Sequence, residues 1–216
     1  MGLIAADNGG NSNFKRVPSG SHIARCFSVI DLGTHLTSGQ YGEKNQHKLR
    51  LAFEVFGDDD EGQPLTIDVD GKEMPLTINK TYTVSLHEKA GLRKDLAAWR
   101  GRDFTDEEAK AFDVSKLLGA YCMLNVVISE TNGKTYSNIA GIAPLHKQMS
   151  KPEPIHANQK LDLDNVDMDV FNSLHEKLQD HIKQSPEWKR FANTSTGNQL
   201  INNDAPEPID FDEIPF

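Results

Sequence analysis

Residues 46–56 (QHKLRLAFEVF) alternate without a break: Leu49, Leu51, Phe53 and Val55 fall on one face, Lys48, Arg50, Ala52, Glu54 and Phe56 on the other. A period of two is that of a strand with one buried face. Residues 22–32 (HIARCFSVIDL) predict an earlier strand closed by Gly33, and the polar, Gly-bearing run 34–45 reads as a loop. Residues 57–62 (GDDDEG) and the Asp68-Val69-Asp70-Gly71 run are turn signals. They read together as the tip of a long hairpin returning through residues 76–86. In that return strand Ile78, Lys80, Tyr82, Val84 and Leu86 share one face, and Thr77, Asn79, Thr81, Thr83 and Ser85 the other.

Helical signals follow. Ser85 and Glu88 have the spacing of a capping box, which starts a helix there, and Leu92, Leu96 and Trp99 form its buried stripe. Lys89, Arg93, Lys94, Arg100 and Arg102 are left to solvent, the densest basic patch in the chain. Thr105 and Glu108 form a second capping box, opening a short helix to about Phe112, and residues 113–118 add a turn of helix stopped by Gly119. Two strands, residues 120–129 and 135–142, then meet at an Asn132-Gly133 hairpin turn. The pattern is mainly β with added helices: five strands, with helices between the third and fourth. That order is what an OB-fold, a five-stranded β-barrel, requires, though another small β-barrel also fits.

Residues 150–166, with Pro152 and Pro154, read as a linker. Beyond it Phe171, Leu174, Leu178 and Ile182 mark one amphipathic helix, and Ser185-Pro186-Glu187 caps a second through Phe191. These helices pack on the barrel, on a second copy in a homo-oligomer, or on a partner. The division is thus a flexible arm over 1–21 carrying Lys15 and Arg16, a barrel over 22–149, linker and helices over 150–192, and a disordered tail over 193–216.

Charge changes the picture. The chain of 216 residues has a net charge of -9, but residues 1–150 hold 17 basic against 19 acidic residues, and residues 151–216 hold 6 against 13. A near-neutral barrel can carry a cationic groove, because the field depends on where charges sit. The groove expected for unpaired nucleic acid uses Lys48, Arg50 and Phe56 on the outward face of the second strand. Arg25 and Phe27 on the first strand, Lys80 and Tyr82 on the third, Tyr136 near the last hairpin, and Arg93, Lys94, Arg100 and Arg102 on the helix extend it. For Phe27 and Tyr82 core packing is the competing reading, and for the helix cations a solvated face. The acids at 58–61 and at Asp68 and Asp70 lie in turns, where Asp serves the backbone. No nucleotide-binding loop, hydrolase or metal-binding motif occurs, so the expectation is a protein that is not an enzyme and needs no cofactor and no metal. Cys26 and Cys122, far apart in apolar segments, read as buried thiols of a cytoplasmic protein. No signal peptide and no membrane span are expected.

The chain closes on DAPEPIDFDEIPF, in which Asp210, Phe211, Asp212, Glu213, Ile214, Pro215 and Phe216 combine carboxylates with an apolar tip. Such a segment stays solvated and docks by its aromatic end while its acids meet a basic rim. This ending resembles the acidic tip of bacterial and phage single-stranded DNA-binding proteins. The runs HIARCFSVIDLGTH, KLRLAFEVF, YTVSLHEKAGLRKDLAAWRGRDFT and FDVSKLLGAYCMLNVV likewise resemble phage-encoded single-stranded DNA-binding proteins over about residues 17–145. The resemblance implies an OB-fold, sequence-independent binding of single-stranded DNA in the bacterial host cytoplasm, and a role in DNA replication or recombination. The tip then recruits host or phage replication and recombination proteins. An adaptor or inhibitor that uses the tip without holding DNA is the alternative reading.

Overall fold

A computed structural model of the chain describes residues 15–39 and 42–194. Its framework is one antiparallel sheet built from β1 (Gly20–Gly39), β2 (Gly42–Phe56), β5 (Thr77–Thr83), β6 (Tyr121–Thr131) and β7 (Lys134–Pro144), in the order β5-β2-β1-β6-β7. The connection from β2 to β5 carries a separate hairpin, β3 (Thr66–Val69) and β4 (Lys72–Pro75), turned at Asp70 and Gly71. The two acidic turns therefore do not share one hairpin tip. Asp59 and Asp68 instead accept backbone N–H groups within their own turns. Between β5 and β6 lie α1 (Gly91–Arg100), α2 (Asp106–Lys110) and a 3-10 turn (Val114–Leu117). After β7 come β8 (Gln159–Leu161), α3 (Met168–Ser173), α4 (Glu176–Lys183) and α5 (Pro186–Ala192). Among the described residues no helix is long and apolar enough to cross a membrane.

The alternation in β2 is realised: Leu49, Leu51, Phe53 and Val55 are all buried in the main core. Ala24, Cys26, Val29, Ile78, Cys122, Leu124, Val126, Ile139 and Ile142 join them from the other strands. The stripe Leu92, Leu96 and Trp99 of α1 closes one end, and the Trp99 indole donates to the Tyr121 carbonyl at 2.9 Å. Burying side chains of this size stabilises by roughly 1.5–3 kcal/mol each. Burial drives the Cys26 thiol up to about 12 and Cys122 well above the ordinary range, so both remain protonated. The sheet does not close into a barrel by backbone pairing, since no ladder joins β5 to β7. Across that seam the Lys80 ammonium, on the inward face of β5, reaches the Ile139 carbonyl of β7 at 3.1 Å and Asp95 of α1 at 2.7 Å.

Several boundaries differ from those the pattern predicts. Strand β1 begins at Gly20, with Val17 of the expected arm buried in the core, and it runs through Gly33 instead of stopping there. Within the stretch expected as a loop, residues 34–39 and 42–45 extend β1 and β2 into a paired arm with register from Thr34↔His47 to Gly39↔Gly42. Apart from the exposed Leu36 that arm is polar on both faces, so it carries no alternation to read. The helix expected from Ser85 begins at Gly91, because the Ser85 hydroxyl accepts the N–H of His87 and makes a local turn instead of a cap. The Thr105–Glu108 capping box forms as expected. The hairpin at Asn132 and Gly133, with φ of 52° and 69°, is the mirror-image turn that matches strand twist. The single amphipathic helix is two, broken where Leu174 turns extended and His175 caps α4.

The expected linker is anchored. The Arg25 guanidinium pairs with Glu54 directly across the β1–β2 ladder, and donates also to the His156 carbonyl at 3.0 Å and to the Asn158 side chain. Glu54, fully buried, accepts the backbone N–H of His156 at 2.9 Å and of Ile155 at 3.3 Å, with the His156 ring at 3.0 Å. Burial alone raises this carboxyl, but the His156, Arg25 and Ile155 hydrogen bonds outweigh it and hold Glu54 below the usual carboxylate range. Downstream, β8 pairs in parallel with Ser28–Ile30 of β1. A second core forms there from Ile30, Leu32, Leu161, Leu163, Phe171, Leu174, Ile182 and Trp188. At the β1 bulge, Gly33 has φ of 76° and lies against the cap of α5. There the Ser185 hydroxyl accepts the Trp188 N–H at 3.1 Å, and Glu187 accepts the Thr34 N–H at 2.9 Å and its hydroxyl at 2.7 Å.

Two outcomes are expected. Glu54→Ala strands a buried guanidinium and should cost about 3–5 kcal/mol in urea unfolding; a loss below about 1 kcal/mol would contradict the clamp. Gly33→Ala adds a Cβ that overlaps Ser185 and comes within 2.9 Å of Glu187 Oε2, in a conformation unfavourable to side chains. Tryptic cleavage at Lys189 and Arg190 of α5 should accelerate roughly tenfold, and unchanged protection would show that α5 does not depend on this close approach.

Candidate functional site

The outward face of β2 reads Lys44, Gln46, Lys48, Arg50 and Ala52 before it reaches the buried Glu54. Beside it, β5 presents Thr83, Thr81, Asn79 and Thr77, in register Lys48↔Thr83, Arg50↔Thr81 and Ala52↔Asn79. The Lys48 ammonium is held by neutral acceptors, Gln46 Oε1 at 2.6 Å and Thr83 Oγ1 at 3.0 Å. Arg50 stands opposite Ile30, on which the second core is built. It is half-buried and makes no hydrogen bond or ion pair among the described residues. Partial burial lowers its pKa, yet a guanidinium stays charged at neutral pH. The one carboxylate in this row, Glu54, is already spent on Arg25 and His156.

Concavities run along this face. One, lined by Thr37, Ser38, Lys44, Gln46 and Lys48, lies on the arm. It shares Lys44 and Gln46 with a larger groove of about 780 Å³, which continues past Thr81 and Thr83 to His87, Lys89 and the start of α1. At the other end of β5, Lys15 and Arg16 flank a third beside Asn79, Thr135 and Tyr136, where the Ser137 hydroxyl donates to the Val17 carbonyl at 2.6 Å. None of the three linings contains an Asp or Glu. In a chain of net charge -9, three grooves along these strands whose polar lining is cations, hydroxyls and amides form a surface suited to an extended polyanion.

The expected site residues divide sharply. Lys48 and Arg50 lie on this face, and Tyr136, 47 % exposed, borders its far end. Phe56 is on the same side of the sheet but half-buried, 6.3 Å from the Tyr121 ring, whose hydroxyl donates to the Pro152 carbonyl. Two expected residues are withdrawn from the surface, and two more line the larger groove while pointing to the seam. Arg25 is buried in the clamp and Phe27 stacks on His156 at 4.6 Å; Lys80, partly exposed, and Tyr82 share Asp95, Tyr82 donating to it at 2.8 Å, and both border the larger groove. Burial and Asp95 raise the Tyr82 phenol well above its ordinary value.

The helix cations are largely neutralised. Arg93 makes a two-point pair with Asp103 at 2.9 and 3.1 Å and also holds the Leu86 and Phe104 carbonyls. Arg100 and Arg102 both bind Glu108, and Arg100 lies 4.2 Å over the Phe104 ring. The Arg102 hydrogen bond, the Thr105 N–H and Arg100 bring the Glu108 carboxyl down to about 2. Lys94 alone of the four keeps an exposed, unpaired head among the described residues.

Lys44 and Gln46 are the residues the pattern missed. They extend the even-numbered row 44, 46, 48, 50, but Lys44 sits in the stretch assigned to a loop and Gln46, first residue of the expected strand, carries no charge. The expected partner-binding tip, Asp210, Phe211, Asp212, Glu213, Ile214, Pro215 and Phe216, lies outside the described residues. Among the described residues no group of three or more His, Cys, Asp or Glu side chains could hold a metal ion. Compared with known proteins, the chain matches no family profile and no curated sequence.

Retention on a phosphate-bearing cation exchanger should separate the free cations from the spent ones. A Lys44→Ala, Lys48→Ala, Arg50→Ala variant should elute at clearly lower salt than the parent, whereas Arg93→Ala with Arg102→Ala should shift elution by less than half as much. Equal shifts would mean that charge count, not this face, governs anion binding.

Proposed function

We propose that this chain is a non-catalytic, sequence-independent single-stranded nucleic-acid-binding protein of the kind phages encode. On this reading the sheet is an OB-fold left open at the β5–β7 seam. The order β5-β2-β1-β6-β7 supports it, since it is that of a partly open five-stranded barrel whose second and third strands face the ligand. Here those strands are β2 and β5. The observation that carries the proposal is the outward β2 row, in which Lys48 and Arg50 have no acidic partner while Arg93, Arg100 and Arg102 on α1 and the turn after it all do. An enzyme reading finds no comparable constellation among the described residues. The acidic end of the chain fits the same proposal as a recruiting tip for replication or recombination proteins.

Fluorescence anisotropy with an end-labelled oligo-dT, repeated across a salt series, tests it. Affinity should fall steeply with salt, and removing one phosphate-binding cation should reduce the slope of log K against log salt by about 0.7. Lys48→Ala with Arg50→Ala should therefore weaken binding at least roughly tenfold and flatten the slope by about 1.4. No binding of the parent protein, or a salt-independent affinity, would refute the proposal.

A further inference from the structure

The binding face is rich in groups that suit phosphate and poor in groups that suit bases. The described aromatic side chains of the sheet are nearly all committed elsewhere. Phe53 and Tyr82 are in the core, Phe27 is stacked on His156, and Phe56 is half-buried beside Tyr121. Tyr136 is the exception, and it stands on β7, across the seam from the cationic row. What β5 offers instead is the exposed side chains of Thr77, Asn79 and Thr81, which have no hydrogen-bond partners among the described residues, in line with Lys48 and Arg50 of β2. Hydroxyl, amide and cationic side chains are the usual partners of phosphate oxygens. Same-face residues recur every two positions along a strand, roughly 7 Å apart, so two adjacent rows offer repeated contacts along an extended sugar-phosphate chain.

Resting on the nucleic-acid-binding role proposed above, we infer that the β2–β5 face grips the sugar-phosphate backbone and leaves the bases turned to solvent. Affinity then derives from Lys44, Lys48, Arg50 and the Thr77–Asn79–Thr81 row, not from stacking. The ligand class is an extended phosphodiester, whatever bases it carries.

Two oligonucleotides of equal length test this against the full chain: oligo-dT and an oligomer in which every nucleotide is an abasic tetrahydrofuran residue. The abasic oligomer should bind within about fivefold of oligo-dT, which is less than a single stacked base contributes. Lys48→Ala with Arg50→Ala should weaken both by the same factor, and Tyr136→Ala should change oligo-dT affinity by less than about fivefold. If oligo-dT binds and the abasic oligomer is weaker by more than that, the inference is overturned and the nucleic-acid-binding role stands. If neither binds, that role falls and this inference with it.

Discussion

The buried pair between Arg25 and Glu54 decides how the outer face of this sheet is used. Two charges out of water are costly, and only the further donors and acceptors around them make the arrangement tenable. Those come from residues 155–158: two backbone N–H groups and a ring nitrogen for the carboxylate, a carbonyl and an amide oxygen for the guanidinium. A segment without regular structure is thereby fixed across two strands. Once it lies there, the part of the face around Phe56, Glu54 and Arg25 is covered, and the part around Lys44, Lys48 and Arg50 remains open.

The same physics sorts the cations into two populations. On α1 and the turn after it, Asp103 and Glu108 stand within reach of three arginines, and their ion pairs tie helix to loop. On β2 the neighbours of Lys48 are Gln46 and Thr83, which accept hydrogen bonds but cancel no charge. Pairing, more than local density of basic residues, determines where a positive field survives. A chain of strongly negative net charge can therefore keep a cationic surface, provided its acids lie at turns, in buried clamps and towards its C-terminal end.

The sequence was most legible where one physical signal acted alone. Strict alternation picked out Leu49, Leu51, Phe53 and Val55 and put Lys48 and Arg50 opposite them, and the structure agrees because that strand has one wet face and one dry one. Thr105 with Glu108, and Asn132 with Gly133, were readable for the same reason: a short local geometry demands those residues. Legibility ended where distant segments meet. Nothing near Arg25 announces that its partners are Glu54 and residues 156 and 158, and nothing near Arg93 announces Asp103. The inward turn of Lys80 was visible in its alternation with Ile78 and Tyr82, but the carboxylate it seeks belongs to a helix that starts later than its capping signal suggests. The arm formed by 34–39 and 42–45 escaped because a strand wetted on both faces has no apolar phase.

The parallel pairing of β8 with Ser28–Ile30 has a consequence for how the protein is made. Strand β1 leaves the ribosome just before one neighbour, β2, but part of its other edge waits for residues 159–161, more than a hundred positions later. Until those arrive, Ile30 and Leu32 lack their cover and three backbone positions lack their ladder. Closing so long a loop is entropically slow, so contact order makes the C-terminal layer the last to assemble. A nascent chain halted after β7 would thus display a greasy, unpaired strand edge, the kind of surface on which newly synthesised proteins stick to one another.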